Sequence, residues 1–315
     1  MNKEHQLGGN IMNKEFIYKH LLNILNKEDI LLDEPMKNHI SFKVGGPADF
    51  LVKPRNEEQL KDLVSLLKKE EIPYLIVGNG SNLLVRDGGI RGVVIKIADN
   101  FNEFRIEGNT VYAQSGALLS FMGKAILNES LTGFEFAAGI PGTLGGAVAM
   151  NAGAYGGEMK DIVKSVKLMD FEGNICELSN EEMQFSYRKS IISKKEYIVL
   201  SAIIELKEGN FEEIRESMRE LTKSRVTKQP LNLPSAGSTF KRPEGYFAAK
   251  LIEDSGLKGL TLRGAQVSEK HSGFVVNLGN AKAKDILDLI YIVKNIVNSK
   301  FGIMLEEEVK ILGDE

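Results

Sequence analysis

Two dense glycine clusters are the clearest chemical signal in the sequence. The first follows an apolar run at 74–77 directly, and it consists of Gly78, Asn79, Gly80, Ser81 and Asn82. Glycines at the end of a strand allow backbone N–H groups to converge on one point, and the serine and asparagine side chains add donors. Such a loop can hold phosphate oxygens without a basic residue. A tight turn with no ligand explains this loop, taken alone, equally well.

The second cluster lies at 139–157 and is even richer in small residues. Together the segments 78–92 and 133–157 contain 13 of the 31 glycines in the chain. A backbone without side chains can press closely against a flat or anionic ligand. The interleaved Leu144, Val148 and Met150 indicate ordered structure rather than a flexible loop. Neither cluster matches G-x-G-x-x-G or G-x-x-x-x-G-K-[ST], so a nucleotide would be held by a scaffold other than a Rossmann fold or a P-loop.

Composition excludes several classes of protein. The 315 residues carry 40 Lys+Arg and 43 Asp+Glu, and this net charge of −3 argues against a dedicated nucleic-acid binder. The single cysteine, Cys176, excludes an intramolecular disulfide and a Cys-rich metal site, so no metal is predicted. No apolar stretch reaches 18 residues, and the first residues lack the apolar segment of a signal peptide. We therefore expect a cytoplasmic protein without membrane insertion; no oligomeric state is predicted.

Hydrophobic periodicity places these clusters within an α/β-type start and an α+β end. It predicts helices at 13–27, 56–71, 117–129, 211–225, 246–255 and 281–300. It predicts strands at 49–53, 74–77, 93–97, 104–106, 110–114, 163–170, 174–178, 197–206, 273–278 and 303–312. The expected divisions are an N-terminal extension and helix (1–35), two segments (36–100 and 101–208) and a last domain (209–315). Residues 1–12 are expected to be a disordered extension, with Met12 as an alternative start.

The order of the motifs resembles a known family. Residues 76–84 (IVGNGSNLL) followed by 140–146 (IPGTLGG) resemble the FAD-binding domain of vanillyl-alcohol-oxidase-type flavoproteins. Four further motifs narrow the resemblance: NAGAYG at 151–156, FSYRKS at 185–190, AGSTFK at 236–241 and LEEEV at 305–309. Together they are similar to the UDP-N-acetylenolpyruvoylglucosamine reductase family over about residues 36–313. The short link from Lys241 to Phe247 resembles its type II form, which lacks an inserted tyrosine loop.

The resemblance implies an α+β fold and a flavin-dependent reduction. Segments 36–100 and 101–208 would be the two lobes of the FAD-binding domain, and 209–315 would be an α+β substrate domain whose last strand returns toward the FAD site. FAD is expected to be non-covalent, because the first glycine loop contains neither His nor Cys. NADPH would be the hydride donor, in the same cleft as the substrate, a UDP-sugar enolpyruvate ether. The residues implied in FAD binding are Gly78, Asn79, Gly80, Ser81, Asn82, Ile140, Pro141, Gly142, Thr143, Gly145, Gly146, Ala147 and Gly153.

Three residues are the implied catalytic groups. Hydride arrival at C3 of the enolpyruvyl group pushes negative charge toward its carboxylate, and Arg188 would stabilise that charge. Glu308 would act as a protonated acid or as a partner that orients Arg188 or a water. On a regular strand Glu306 and Glu308 share a face, so only the resemblance selects Glu308. Ser238 would protonate C2. Without the resemblance, these residues are interpreted as a surface arginine, an acidic edge and a loop serine.

Four further residues are predicted to contact the substrate. Arg225 and Lys228 lie three apart at the end of a predicted helix, where one face could present both to a pyrophosphate. Ordinary favourable charge at a helix C-terminus is the alternative. Tyr155 and Tyr187 are expected to flank the sugar or the diphosphate. Two other functions stay open: another flavin oxidase or dehydrogenase on the same scaffold, and a non-catalytic flavin-binding protein.

Overall fold

The computed structural model describes residues 14–315, so the expected extension and the Met12 start lie outside the described part. Helices and strands are mixed along the chain, which confirms the predicted α+β class. Within residues 14–315 there are eight α-helices: Lys14–Leu21 (α1), Glu57–Lys69 (α2), Leu119–Asn128 (α3), Glu135–Ala138 (α4), Leu144–Ala149 (α5), Phe211–Lys228 (α6), Ala248–Asp254 (α7) and Ala283–Phe301 (α8). None of these described helices is both long and apolar enough to cross a membrane.

Eighteen short strands accompany the helices in the described part of the chain. They are Ile30–Pro35 (β1), Pro47–Val52 (β2), Tyr74–Val77 (β3), Leu83–Val85 (β4), Ile90–Lys96 (β5), Phe104–Glu107 (β6), Thr110–Gln114 (β7), Leu131–Thr132 (β8), Gly153–Ala154 (β9), Gly157–Glu158 (β10), Val163–Asp170 (β11), Ile175–Ser179 (β12), Tyr197–Glu205 (β13), Lys207–Glu208 (β14), Thr261–Leu262 (β15), Ala265–Val267 (β16), Val275–Asn277 (β17) and Lys310–Leu312 (β18).

The first sheet positions the first glycine cluster at the carboxyl end of a parallel pair. Its strand order is β1-β2-β5-β3, in which β2, β5 and β3 are parallel and β1 is antiparallel. Helix α2 begins where the Asn56 side chain accepts a hydrogen bond from the Gln59 N–H at 2.9 Å. The last pair of the β3–β5 ladder joins Val77 to Lys96, and Gly78 follows immediately. The cluster therefore starts at the carboxyl ends of two neighbouring parallel strands, β3 and β5.

The second sheet is antiparallel, with the order β12-β11-β13-β7-β6. A hydrophobic core that lies wholly between residues 111 and 206 covers one of its faces. Leu144 and Val148 of α5 are fully buried in that core. The second glycine cluster is thus ordered, as its interleaved apolar residues predict, because it anchors a short helix on the sheet.

The last third of the chain shares a core with the first sheet. Ile286, Leu289 and Val293 of α8 are buried together with Leu84 and Val94. The N-terminus of α8 is capped by another part of the chain, since the Asp87 carboxylate accepts from the N–H groups of Ala283 (3.0 Å) and Lys284 (2.9 Å). Strand β18 pairs in parallel with β4, which follows the first glycine cluster.

The predicted strand at 303–312 is wrong over most of its length. Only Lys310–Leu312 forms a strand, and before it a single antiparallel bridge joins Glu307 to Phe240. Leu305 and Val309 are both buried, and two backbone hydrogen bonds of 2.8 Å, from the Lys241 N–H to the Glu306 carbonyl and from the Glu308 N–H to the Thr239 carbonyl, hold the chain between them. That Glu306 and Glu308 share a face stays a prediction; their partners differ, since Glu306 pairs with Lys241 at 3.0 Å and Glu308 pairs with Arg188.

Smaller differences concern the ends of helices and two short strands. The described part of the first predicted helix ends at Leu21, and β1 and β4 were not predicted. Strand β4 has three residues and is stabilised by a partner more than 200 positions away, so local periodicity gives no signal for it. Helix α6 continues to Lys228, which places Arg225 and Lys228 in its last turn.

Candidate active site

One cleft collects most of the predicted site residues. Its volume is about 1010 Å³, at the upper end of the usual range of roughly 300–1,000 Å³ for small-molecule sites. The predicted residues that line it are Asn79, Ser81, Asn82, Ile140, Pro141, Gly153, Tyr155, Arg188, Arg225, Lys228, Ser238 and Glu308. The other predicted residues, Gly78, Gly80, Gly142, Thr143, Gly145, Gly146, Ala147 and Tyr187, lie outside this lining.

The two glycine segments, 78–82 and 139–147, form one side of the cleft, which we call the glycine wall. They are tied together directly, because the Asn79 side-chain amide donates to the Pro141 carbonyl at 3.0 Å. Gly78 lies so close to Thr143 that a Cβ there would overlap the threonine hydroxyl. Gly80 has φ +66°, and a Cβ there would overlap the His39 carbonyl oxygen. Gly78 and Gly80 therefore lie behind the surface of the glycine wall, where close packing leaves no room for a side chain.

The second glycine segment is shaped by its own contacts. The Thr143 side chain accepts from the Gly146 N–H at 3.5 Å, which starts α5. Gly145 packs on Ser115, where a Cβ would come within 2.8 Å of the serine Cβ. Ile140 and Pro141 are left at the surface of the cleft. The segment thus presents backbone and small groups to a ligand.

Five polar residues from separate parts of the chain line the cleft together with the glycine segments; they are Arg188, Arg225, Lys228, Ser238 and Glu308, and we call them the polar wall. The closest pair is Arg188 and Glu308, whose Nε–Oε1 distance is 2.7 Å. Both side chains are mostly buried, with 20% and 11% exposed. The Arg188 guanidinium also donates to the Gly153 carbonyl at 3.3 Å. This holds the charged group beside the glycine-rich stretch.

The backbone around Arg188 is held in an unusual conformation. Arg188 has φ +55°, which is costly for a residue with a Cβ. Ser186 and Lys189 exchange backbone hydrogen bonds around it, at 2.9 and 3.1 Å. The buried Asn151 amide donates to the Ser186 carbonyl at 3.1 Å, and the Ser190 hydroxyl donates to the Ala149 carbonyl at 2.7 Å. The motifs at 151–156 and 185–190 therefore form one unit that aims Arg188.

Glu308 is the point where separate segments meet. Its N–H donates to the Thr239 carbonyl at 2.8 Å, and its own carbonyl accepts from the Asn82 side-chain amide at 3.1 Å. Its carboxylate accepts from Arg188. The bond to Thr239 also fixes where Ser238 lies, one residue earlier in the chain. Ser238 is exposed within the cleft and follows Gly237, which has φ +78°.

Arg225 is the most unusual cation of the polar wall. Its Nε and Nη1 atoms are buried, and no residue in 14–315 offers them a hydrogen-bond partner. Its guanidinium lies against Gly139, where a Cβ would come within 2.6 Å of Nη1. Burial lowers the pKa of Arg225, an effect that the nearby Tyr155 partly offsets. Lys228, one turn later, is exposed at the cleft. An anion in the cleft would give the buried guanidinium its missing partner.

The two predicted tyrosines differ in position. Tyr155 lines the cleft, at φ +52°. Tyr187 lies next to the cleft lining. The centre of its ring is 5.2 Å from the Arg188 guanidinium carbon. The Tyr187 hydroxyl accepts from the Arg242 N–H at 3.2 Å. Tyr187 therefore connects the 185–190 loop to the short link after Lys241.

Several lining residues were not singled out in the sequence. His39 lies in the cleft with its Nε2 2.9 Å from Glu34 Oε1. Lys96 is nearly buried at the end of β5, 3.2 Å from Asp99, and Lys43 is exposed. A charged residue at the end of an apolar strand could have indicated Lys96. His39 and Lys43 carry no comparable signal, since they reach the cleft through a loop.

His271 also lines the cleft and was not predicted. Its Nδ1 accepts from the Gly273 N–H at 3.2 Å, so the proton of the neutral ring is on Nε2. Burial lowers the pKa of His271 below 6.5. Burial also lowers the pKa of His39, although the bond to Glu34 partly opposes this. Both rings are therefore neutral at pH 7.

Comparison with known proteins gives a family for each half of the chain. The FAD binding domain family matches residues 48–179. The family described as the C-terminal domain of UDP-N-acetylenolpyruvoylglucosamine reductase matches residues 229–312. The first match contains both glycine segments, and the second contains Ser238 and Glu308. The two matches thus include the glycine wall and two residues of the polar wall, whereas Arg188, Arg225 and Lys228 lie between the matched ranges.

Whole-length relatives agree with these matches. The UDP-N-acetylenolpyruvoylglucosamine reductase of Clostridioides difficile (strain 630) is 71% identical over 304 residues, which are 96% of this chain and 100% of that protein. The enzyme of the same name from Alkaliphilus oremlandii (strain OhILAs) is 57% identical over the same shares.

Solved structures give the same result for the fold. The crystal structure of UDP-N-acetylenolpyruvylglucosamine reductase from Thermus caldophilus matches with a TM-score of 0.77 and 36% identity, over 90% of this chain and 97% of that one. A variant of Phl p 4, a glucose oxidase, matches with a TM-score of 0.50 and 14% identity, over 93% of this chain and 60% of that one, which is a likeness of fold alone. The fold is the vanillyl-alcohol-oxidase-type FAD-binding domain with an α+β C-terminal domain. With both matching domains in order and a relative of 71% identity along nearly its whole length, the chain belongs to the UDP-N-acetylenolpyruvoylglucosamine reductase family.

Proposed function

We propose that this protein reduces UDP-N-acetylglucosamine enolpyruvate to UDP-N-acetylmuramate, a step of peptidoglycan precursor synthesis, with FAD as cofactor and NADPH as reductant. The observation that carries this is the Arg188–Glu308 pair, 2.7 Å apart, in the same cleft as Ser238 and both glycine segments. The enolpyruvyl carboxylate needs a fixed cation beside it. The carbon that is protonated needs a proton donor.

The residues of the cleft fit a flavin dinucleotide. The glycine wall offers backbone and small side chains against which a flat ring system and a diphosphate can lie closely. The Arg225 Nε and Nη1, which have no partner in residues 14–315, fit a second anionic ligand, the substrate. The chemistry that bound FAD supplies is hydride transfer, from NADPH to C3 of the enolpyruvyl group. We assign FAD binding to residues 78–82, 140–143 and 145–147 of the glycine wall and to Gly153, and substrate binding to Arg225, Lys228, Tyr155 and Tyr187.

Arg188 has the central electrostatic role in this proposal. As hydride reaches C3, negative charge develops at C2 and on the substrate carboxylate, and a guanidinium beside that carboxylate stabilises it. Glu308 holds the Arg188 Nε–H, so its role is to orient the guanidinium. The left-handed backbone of Arg188 and its bond to Gly153 keep the group in place before substrate arrives. In this proposal, Arg188 binds the substrate carboxylate and Glu308 orients Arg188, and neither side chain has to move.

Ser238 completes the reaction by giving its hydroxyl proton to C2. The C2–H bond forms as the serine O–H bond breaks, and a water returns a proton to the serine oxygen. The exposed position of Ser238 in the cleft supports this, because water can reach the hydroxyl.

The partner in this proposal is a small molecule, and the compartment is the cytoplasm. NADPH and UDP-sugars are carried to the enzyme in solution, and the cleft has a volume suited to such ligands. The domain division is part of the proposal too. It is supported by a core confined to residues 111–206 and by the pairing of β18 with β4 beside the first glycine segment.

Replacement of Ser238 by alanine tests the mechanism. Ser238→Ala should leave reduction of the bound flavin by NADPH within about twofold of the original rate. It should slow anaerobic reoxidation by UDP-N-acetylglucosamine enolpyruvate by roughly 10² to 10⁴, the usual contribution of a general acid. Stopped-flow absorbance of the flavin measures both half-reactions. Ser235→Ala, in the same segment, serves as the matched control and should keep both rates.

The possible outcomes distinguish the role of Ser238 from the overall function. If Ser238→Ala keeps both half-reactions, the serine is not the acid, although the overall function stands. If the unmodified protein binds FAD but the enolpyruvate ether does not restore the colour that NADPH removes, another flavoenzyme activity replaces the proposed function.

A further inference from the structure

We propose that Asn82 is a positioning residue that couples the first glycine segment to the Arg188–Glu308 pair. This inference rests on the proposed function. It adds to the flavin-binding role predicted for the loop a second role, directed at the opposite wall of the cleft.

The bonds of Asn82 carry the inference. Its side-chain amide donates to the Glu308 carbonyl at 3.1 Å, across 226 positions of sequence. Its backbone carbonyl accepts from the Lys310 N–H at 2.9 Å. Asn82 thus holds the chain on both sides of Val309, which is itself buried. The direction in which the Glu308 side chain leaves the backbone is fixed by these bonds and by the Thr239 carbonyl.

Asn79, in the same loop, provides a contrast. Its amide donates to the Pro141 carbonyl at 3.0 Å, within the glycine wall. Two asparagines three residues apart therefore hold different parts of the site. Asn79 joins the two glycine segments to each other, and Asn82 joins the first segment to the residue that orients Arg188.

This difference predicts which half-reaction each asparagine affects. In the proposed mechanism the Arg188–Glu308 pair acts on the carboxylate of the enolpyruvate ether, and NADPH has no group that needs it. A displaced Glu308 backbone would therefore slow reoxidation by the ether and spare reduction by NADPH. Loosened contact between the glycine segments would instead weaken the hold on FAD.

The experiment compares Asn82→Asp with Asn79→Asp in the FAD-loaded enzyme. Each change keeps the shape of the side chain and replaces the amide donor by a carboxylate that faces a carbonyl oxygen. We expect Asn82→Asp to slow reoxidation at least about tenfold more than it slows reduction by NADPH, as expected for the loss of one orienting hydrogen bond. We expect Asn79→Asp to raise the Kd for FAD about tenfold and to affect the two rates equally at saturating FAD.

Stopped-flow absorbance gives the rates, and fluorescence titration of the apoprotein gives the FAD Kd, which does not depend on turnover. If Asn82→Asp changes both rates alike, or changes only the FAD Kd, Asn82 acts through the flavin alone and the inference is overturned. Asn82→Ala, which adds no charge, repeats the test if the aspartate variant fails to fold. Failure of the unmodified enzyme in either half-reaction would count against the proposed function, whatever the variants do.

Discussion

The two walls of the cleft are built in opposite ways. The glycine wall has little charge, and its shape comes from backbone that packs so closely that side chains are excluded at Gly78 and Gly80. The polar wall is made of polar side chains from four separate segments, with one tight pair, one arginine whose buried Nε and Nη1 have no partner in residues 14–315, one exposed lysine and one exposed serine. Added atoms in the glycine wall should therefore lower stability, whereas loss of charge in the polar wall should weaken ligand binding.

The largest expected effect comes from adding one methyl group to the glycine wall. Gly80→Ala places a Cβ against the His39 carbonyl at a left-handed residue. Left-handed backbone alone costs about 1–2 kcal/mol for a residue with a Cβ. The overlap should bring the loss in free energy of unfolding to about 3 kcal/mol or more. Urea denaturation measures this loss, and the FAD content after purification should fall as well.

Gly108→Ala is the matched control. Gly108 also has a left-handed φ, +59°, but a Cβ there meets nothing within 4 Å, in a hairpin turn that does not line the cleft. It should lose only the backbone cost of about 1–2 kcal/mol and retain FAD. Equal losses in the two variants would mean that the close packing of the glycine wall is unimportant.

The polar wall should respond differently to loss of charge. Arg225→Met removes a half-buried cation whose Nε and Nη1 are buried without a partner in residues 14–315, so the ligand-free protein should keep or gain thermal stability. The same change should raise the Kd for UDP roughly 10- to 100-fold, because a charged hydrogen bond to the diphosphate is lost. Lys228→Met, at an exposed site, should raise it less than about fivefold. Isothermal titration with UDP measures both, and a larger effect at Lys228 would reverse the assignment.

The smallest effects should come from the two histidines that line the cleft, His39 and His271. Burial lowers the pKa of His39 and His271 below 6.5, so the folded state favours the neutral rings. The stability that depends on neutral rings is full above pH 6.5 and is lost as the pH falls through the lowered folded-state pKa. His39→Gln and His271→Gln should each reduce the fall in free energy of unfolding between pH 7 and 5, by at most about 1.4 kcal/mol per pH unit.

Urea denaturation at both pH values measures this slope for each variant. If neither substitution changes it, protonation of these rings does not contribute to acid lability. If only one does, protonation of that histidine alone contributes to acid lability.

The sequence indicated the glycine wall better than the polar wall, for a physical reason. Gly78–Asn82 and the second segment are local, so composition alone locates them, and the strand before Gly78 lies where periodicity predicts it. Arg188, Ser238 and Glu308 are brought together by tertiary contacts, and only a resemblance could group them. The absence of a regular strand at 303–309 could not be predicted, because buried Leu305 and Val309 fit the alternation of such a strand. His39, Lys43 and His271 reach the cleft on loops, where sequence periodicity carries no information.

The pairing of β18 with β4 has a consequence for biosynthesis. The Asn82–Glu308 bond joins positions 226 residues apart, and Lys310 pairs with Leu83 in the adjacent ladder. During translation the first glycine segment therefore leaves the ribosome long before its partner strand exists. At about 5–20 residues per second, that interval lasts on the order of ten seconds or more. Until then the edge at Leu83–Val85 has no partner, so a nascent chain exposes an open strand edge that chaperones or aggregation could engage.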